Sequence, residues 1–242
     1  IYLHVPFCGS FCTYCDFYSE ICRGGRAFNE YADAVLKEVN DRKEEICMNM
    51  SAPGAVNTLY IGGGTPSVLP LDVLRRIVDA LLSSRSLRRG ENTVGAQSPF
   101  EEFTVEVNPE DIVEKGGEYV RGLLALGVNR VSMGIQSFDD GILRWMNRRH
   151  APPELIFGLS QLADDVWKDT IERALELAPE HISAYQLSIE EGSALAKLVA
   201  DGRYVEASDE QCRHQYDVLC QTLRQAGYHH YEISNFAKPG FE

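Results

Sequence analysis

The sequence predicts an α/β protein, a partial (β/α)6 TIM-like barrel followed by the start of a C-terminal α+β subdomain. Three observations predict it. Short β-branched runs alternate with amphipathic helical stretches in six successive units. Such alternation implies parallel strands with helices outside, because parallel neighbours need crossover connections. The polar and Gly-rich segments follow the strands, so they gather at the C-terminal edge of the sheet, where barrels and open α/β sheets carry their chemistry. The 242 residues, 44% apolar and 24% charged, suit one large domain with part of another and exclude a disordered or fibrous chain. The barrel is expected over 1–227 and the beginning of the subdomain over 228–242.

Each element has its own signal. A strand at 2–5 leads through a cysteine loop into a helix near 28–45, with Phe28, Tyr31, Val35 and Val39 on one face. A strand at 56–61 runs into Gly62-Gly63-Gly64-Thr65-Pro66-Ser67 and then an amphipathic helix over about 71–82. The strand at 103–107 ends at Asn108-Pro109-Glu110, with a helix expected near 118–125. The strand at 130–134 ends at Gln136, and a helix follows at 139–146. A strand at 155–157 ends at Gly158 before a helix over 164–177. The strand at 182–187 ends near Glu190, and after a loop a helix spans 209–225.

Two places resist the pattern. His150-Ala151-Pro152-Pro153-Glu154 reads as the start of another helix, yet a strand begins at Leu155. Parallel pairing across so short a link is not expected, so residues are read as missing around 150–163. The stretch 83–101, rich in Ser, Arg and Gly, reads as a mobile surface loop.

Composition excludes several function classes. Twenty-three Lys and Arg stand against 36 Asp and Glu, a net charge of −13 that repels phosphate backbones and argues against nucleic-acid binding. No apolar run approaches the roughly 20 residues needed to span a bilayer. The visible start, at Ile1, carries no signal-peptide pattern. Four of the seven cysteines, Cys8, Cys12, Cys15 and Cys22, fall within fifteen residues. That clustering suits a reducing, cytoplasmic setting and a metal or redox site better than a secreted disulfide framework.

Cys8-Gly9-Ser10-Phe11-Cys12-Thr13-Tyr14-Cys15 has C-x3-C-x2-C spacing directly after a strand. Three thiolates from one loop can hold three irons of a [4Fe-4S] cubane and leave the fourth iron without a protein ligand. An open iron can chelate the amino and carboxylate groups of S-adenosylmethionine, and one electron then breaks a carbon–sulfur bond to yield a 5′-deoxyadenosyl radical. Three other readings compete on spacing alone. Cys22 could complete a four-cysteine zinc site, the cysteines could form disulfides, or they could be unrelated core thiols.

The cysteine motif, with Tyr14 before its last member, resembles the signature of the radical S-adenosylmethionine (radical SAM) superfamily. Tyr2-Leu3-His4-Val5-Pro6-Phe7-Cys8 is similar to the branch that contains oxygen-independent coproporphyrinogen III oxidase and its heme-chaperone relatives. Gly62 to Ser67, Glu106-Val107-Asn108-Pro109, Ser132 to Phe138 and Ile156 to Leu159 follow in that branch's order. The resemblance implies cluster ligation by Cys8, Cys12 and Cys15, and a barrel of the radical SAM type. It implies that Gly63, Gly64 and Thr65 receive the methionine end of S-adenosylmethionine. Glu106 would meet its amino group or ribose, Gln136 and Arg148 would contact the same cofactor, and Tyr2 and Tyr14 would flank the nucleoside. The family's aspartate before the strand at 155 is matched by Glu154, and nothing is carried over there. His4 could tune the cluster or be an ordinary strand histidine. His229 and His230 are adjacent on a strand, so at most one could face a tetrapyrrole.

Within the branch the resemblance implies either of two functions. The oxidase decarboxylates two propionates of coproporphyrinogen III to give protoporphyrinogen IX. The chaperone type binds heme and delivers it. The oxidase usually carries a further cysteine two positions after the third, where this chain has Phe17. Tyr231 to Gly240 and Ala184 to Leu187 are closer to the chaperone type, so that reading is preferred. The implied partners are heme or a porphyrinogen, an electron-donor protein and a heme-accepting protein.

Overall fold

The structure is a computed structural model and describes residues 1–22, 24–46, 57–85, 100–134, 136–147 and 155–242. The chain divides into two compact units, one made of Ile1–Gly9 and Tyr18–Ser132, the other of Ser10–Phe17 and Met133–Glu242.

In the first unit β1 (Tyr2–Val5), β4 (Thr58–Gly63), β5 (Glu102–Val107) and β6 (Arg130–Met133) lie side by side in that order. β1 pairs parallel with β4, and β4 with β5. Leu59, Ile61, Phe103, Val105 and Val107 are buried, the near-continuous apolar pattern of a sheet covered on its faces. α1 (Gly25–Asp41) buries Phe28, Ala32 and Val39, as its periodicity predicts. α2 (Leu71–Arg85) buries Val73, Leu74, Ile77, Val78 and Leu81. A short parallel pair, β2 (Phe7–Cys8) with β3 (Glu20–Ile21), brings the chain back after the cysteine loop.

α3 (Pro109–Leu126) starts nine residues before the expected 118. Asn108 is an N-cap whose side-chain oxygen accepts from the Glu110 amide at 3.2 Å, and Pro109 supplies the pre-set φ of a first helical residue. The helix kinks at Gly116, where φ is +66°.

In the second unit α4 (Asp140–Trp145), capped by Asp139, precedes β7 (Leu155–Phe157). Gln136 forms a parallel bridge with Leu155. The sequence reading excluded parallel pairing there, but α4 lies in the crossover and makes it long enough. His150 to Glu154 lie outside the described residues, as does most of the loop expected over 83–101. β7 pairs parallel with β8 (His181–Gln186). α5 (Asp164–Glu176) and α7 (Asp209–Gln225) supply buried Trp167, Ile171, Leu219 and Leu223 to the core. Buried Gln215 is bonded at both ends of its amide: its Oε1 accepts from the Gly158 amide at 2.7 Å and its Nε2 donates to Leu162 O at 3.1 Å. α6 (Ala194–Ala200), which the sequence reading took as loop, is short and capped by Ser193.

The last fifteen residues form β9 (His229–Glu232) and β10 (Asn235–Ala237). β10 pairs antiparallel with both β8 and β9, so this segment clusters with the second unit.

Candidate functional site

Tyr2, Cys8, Gly63, Gly64, Thr65 and Glu106 belong to the first unit, and Cys12, Tyr14, Cys15 and Gln136 to the second. Arg148 lies outside the described residues.

In the first unit the end of β4 is laid against β1 and β2. The Gly64 amide donates to Val5 O at 2.8 Å, and the Thr65 amide donates to Phe7 O at 2.7 Å. The Thr65 hydroxyl reaches Cys8 Sγ at 3.6 Å. A Cβ on Gly64 would stand 2.6 Å from Phe7 O and 2.9 Å from Cys8 Sγ, so only glycine lets the backbone lie this close to the thiol. Gly63 sits at φ +116°, and a side chain there would strike the His4 ring at 2.7 Å.

Glu106, at the end of β5, is gripped from both oxygens: Tyr60 OH donates to Oε1 at 2.7 Å and the Gly63 amide to Oε2 at 3.0 Å. Each carboxylate oxygen has two acceptor positions, so each retains one for a ligand's N–H or O–H group. Tyr2 is exposed and stacks on Tyr60 with ring centroids 6.0 Å apart. Burial, and then the charge of Glu106, raise the Tyr2 phenol above its ordinary range.

His4 is committed to the backbone. Its Nε2 is 3.0 Å from Tyr18 O, which can only accept, so Nε2 carries the proton and Nδ1 accepts from Tyr2 OH at 3.2 Å. Tyr31 OH donates to His4 O at 2.6 Å. The histidine thus ties β1 to the returning end of the cysteine loop.

Cys22 follows a different path from Cys8. The register pairs Cys8 with Ile21, which puts Cys22 one step out of phase, and side chains alternate along a strand. Its Sγ lies 3.7 Å from Gly24 O. The geometry disfavours it as a fourth ligand to a metal held by Cys8. No disulfide occurs among the described cysteines.

In the second unit the cysteine loop is pinned through Thr13, which sequence reasoning missed. Its amide donates to Met146 O at 3.1 Å, its hydroxyl to Trp145 O at 2.9 Å, and its carbonyl accepts from the Leu195 amide at 2.8 Å. Asn147, at φ +58°, donates from Nδ2 to Phe11 O at 2.7 Å. A threonine between two cysteines and an asparagine after a helix were the available signals. The Cys15 amide meets Cys12 O at 3.4 Å in a tight turn. Tyr14 packs partly buried against the unit's apolar core.

Gln136 is 2% exposed, sits at φ +56°, and its Oε1 has no hydrogen-bond partner among the described residues. A buried acceptor without a donor and a non-Gly residue in the left-handed region are each costly, and both features together suit a group held for a ligand. His230 stacks on Phe236 at 4.4 Å and meets Tyr216 OH at 3.1 Å.

The first unit offers the Cys8 thiol, a glycine cradle against it and a carboxylate with spare acceptor positions; the second offers Cys12, Cys15 and a buried amide oxygen without a partner among the described residues. The thiols, in C-x3-C-x2-C spacing, are of the type that suits an iron–sulfur cluster. Among the described residues no group of three His, Cys, Asp or Glu side chains is already arranged around a metal position.

The family model for the Radical SAM superfamily matches residues 2–184. The chain belongs to the radical SAM superfamily. Radical SAM relatives by sequence include heme chaperone HemW of Lactococcus lactis, 30% identical over all of this chain and 62% of that protein. HemW of Mycobacterium tuberculosis is 32% identical over all of this chain and 63% of that protein. The chain therefore spans less than two thirds of these relatives' length. Among solved structures, the radical SAM enzyme coproporphyrinogen III oxidase (HemN) of Escherichia coli superposes with a TM-score of 0.78 over 99% of this chain and 55% of that one, at 24% identity. That likeness is one of fold, and it bears out the α/β radical SAM class expected from the sequence. Membership implies S-adenosylmethionine and an iron–sulfur cluster. No helix among the described residues is long and apolar enough to cross a membrane.

Proposed function

We propose that this chain is the radical SAM part of a heme chaperone: it carries a [4Fe-4S] cluster on Cys8, Cys12 and Cys15, binds S-adenosylmethionine, and serves to hold and hand on heme. The observation that carries the choice of branch is identity of 30% and 32%, over the entire chain, to proteins named heme chaperone HemW. The likeness to the oxidase is of fold alone. Phe17, exposed where the oxidase has a cysteine, supports the same choice.

The residues divide the work. Cys8, Cys12 and Cys15 supply thiolates. Gly63, Gly64 and Thr65 bring backbone close to the first thiol. Glu106 accepts from the amino group, Gln136 accepts another donor, and Tyr2 and Tyr14 offer aromatic faces to the nucleoside, with Arg148 as a further contact. When bound, the cluster supplies one electron for reductive cleavage of a carbon–sulfur bond. An electron-donor protein and a heme-accepting protein are the partners this role requires, and reduced, clustered thiols favour the cytoplasm. We also take the region of 150–163 to be shorter than in the relatives, whose alignments run over 260 and 263 positions against 242 residues here. Residues 228–242 would begin the relatives' C-terminal part.

The test is anaerobic reconstitution followed by two assays in parallel, stoichiometric heme retention and conversion of coproporphyrinogen III. Heme retained without conversion is the expected result. Conversion without retention would move the protein to the oxidase, and zinc with neither iron nor sulfide would remove both readings.

A further inference from the structure

Glu106 reaches its orientation through two residues that the motif reading left without a role. β4 and β5 run parallel with Tyr60 opposite Thr104 and Ile61 opposite Val105, so Gly62 comes opposite Glu106. With a period of two, Tyr60 and Gly62 share one face of the sheet with Thr104 and Glu106. A Cβ on Gly62 would stand 2.7 Å from Tyr60 Cε1 and 3.0 Å from Glu106 Cδ. The tyrosine ring lies over the space that Gly62 leaves, and only so can its hydroxyl come to 2.7 Å from Glu106 Oε1. Tyr2, stacked at 6.0 Å, backs the ring. The Gly63 amide holds the second oxygen. With one donor on each oxygen, the carboxylate cannot turn without breaking a charge-assisted hydrogen bond.

We propose that Tyr60 is a positioning residue: delivered across Gly62, its hydroxyl fixes the Glu106 carboxylate so that its free acceptor positions meet the amino group of S-adenosylmethionine rather than the ribose. The inference rests on the binding role proposed for Glu106. The Tyr60 hydroxyl acts on that carboxylate, so the contribution of the hydroxyl belongs to the amino-acid end of the ligand. 5′-Methylthioadenosine, which has the nucleoside and no amino-acid end, should not sense it.

Equilibrium dialysis of the cluster-loaded, oxygen-free protein tests this, with S-adenosylmethionine and 5′-methylthioadenosine as the two probes. Tyr60→Phe should raise the Kd for S-adenosylmethionine about tenfold, equal to ~1.4 kcal/mol, and leave that for 5′-methylthioadenosine unchanged. Glu106→Gln should lose at least as much with the same selectivity. The double variant should be no weaker than Glu106→Gln alone, since the hydroxyl then has nothing to orient. Equal loss for both probes, or additive losses in the double variant, would overturn the assignment. A wild-type protein that takes up neither probe removes the binding role of Glu106 and this inference together. Silence of Tyr60→Phe in a protein that binds S-adenosylmethionine, and weakens with Glu106→Gln, removes this inference alone.

Discussion

The candidate site residues of the two units handle their polar groups in opposite ways. In the first, Glu106 has a donor on each oxygen and His4 is bonded through both ring nitrogens, so the strand ends are satisfied before any ligand arrives. In the second, Gln136 is buried in a left-handed conformation with an acceptor that none of the described residues meets. The first unit is preorganised, which lowers the ordering cost of binding. The second keeps a local cost that a ligand's donor would relieve, the pattern expected where strain is retained for function. Stability and binding should therefore respond with different signs in the two units.

The largest effect tests whether the units share one centre. Cys8 belongs to the first unit, Cys12 and Cys15 to the second. Replacing any one of them by Ala should abolish cluster iron measured after anaerobic reconstitution, whereas Cys22→Ala should retain it in full. Iron surviving Cys8→Ala would assign the centre to the second unit, and iron lost with Cys22→Ala would reverse the argument from strand register.

Next come two substitutions with opposite consequences for the fold. Gly64→Ala puts a Cβ 2.6 Å from Phe7 O, and backbone cannot yield cheaply. It should cost about 2 kcal/mol, read as a lowered urea midpoint, and should weaken iron uptake as well. Gln136→Leu keeps the volume and removes the orphaned acceptor. It should stabilise the protein by about 1 kcal/mol while weakening S-adenosylmethionine binding. A Gln136→Leu variant that is less stable than wild type would mean that the amide oxygen is partnered in solution, and the contrast between the units would dissolve.

What the sequence could reveal followed the range of each signal. The cysteine spacing, the glycine run and the strand–helix alternation are local patterns, so the fold class was legible in the sequence, and the candidate site residues came from the resemblance those motifs carry. Asn108-Pro109 is equally local, yet the helix was expected only near 118, because Asn and Pro serve turns as well as helix starts. α6 spans only seven residues, too few for periodicity to speak. Tyr60 belongs to no motif that the sequence offers. Its link to Glu106 depends on the register of two strands more than forty residues apart, which composition does not encode. The backbone of Gln136 was hidden for the same reason, since left-handed φ at a non-Gly residue is imposed by surrounding structure.

The smallest expected effect concerns pH and sets a reference for the second unit away from its strained glutamine. Tyr216 on α7 donates to Ile233 O at 2.7 Å and stacks on Phe157 at 5.7 Å. Burial, and then the neighbouring Cys220, push its phenol up to about 12 from an ordinary value near 10. The native state thus holds this proton longer than the unfolded chain does. Its contribution is complete below pH 10 and is lost as the pH climbs from about 10 toward about 12. Urea midpoints at pH 9 and pH 11 should therefore diverge more for wild type than for Tyr216→Phe, which has no proton to lose. Tyr216→Phe should also be slightly less stable at pH 9, where the bond to Ile233 is intact in wild type. Equal divergence in the two proteins would assign the alkaline loss to other groups.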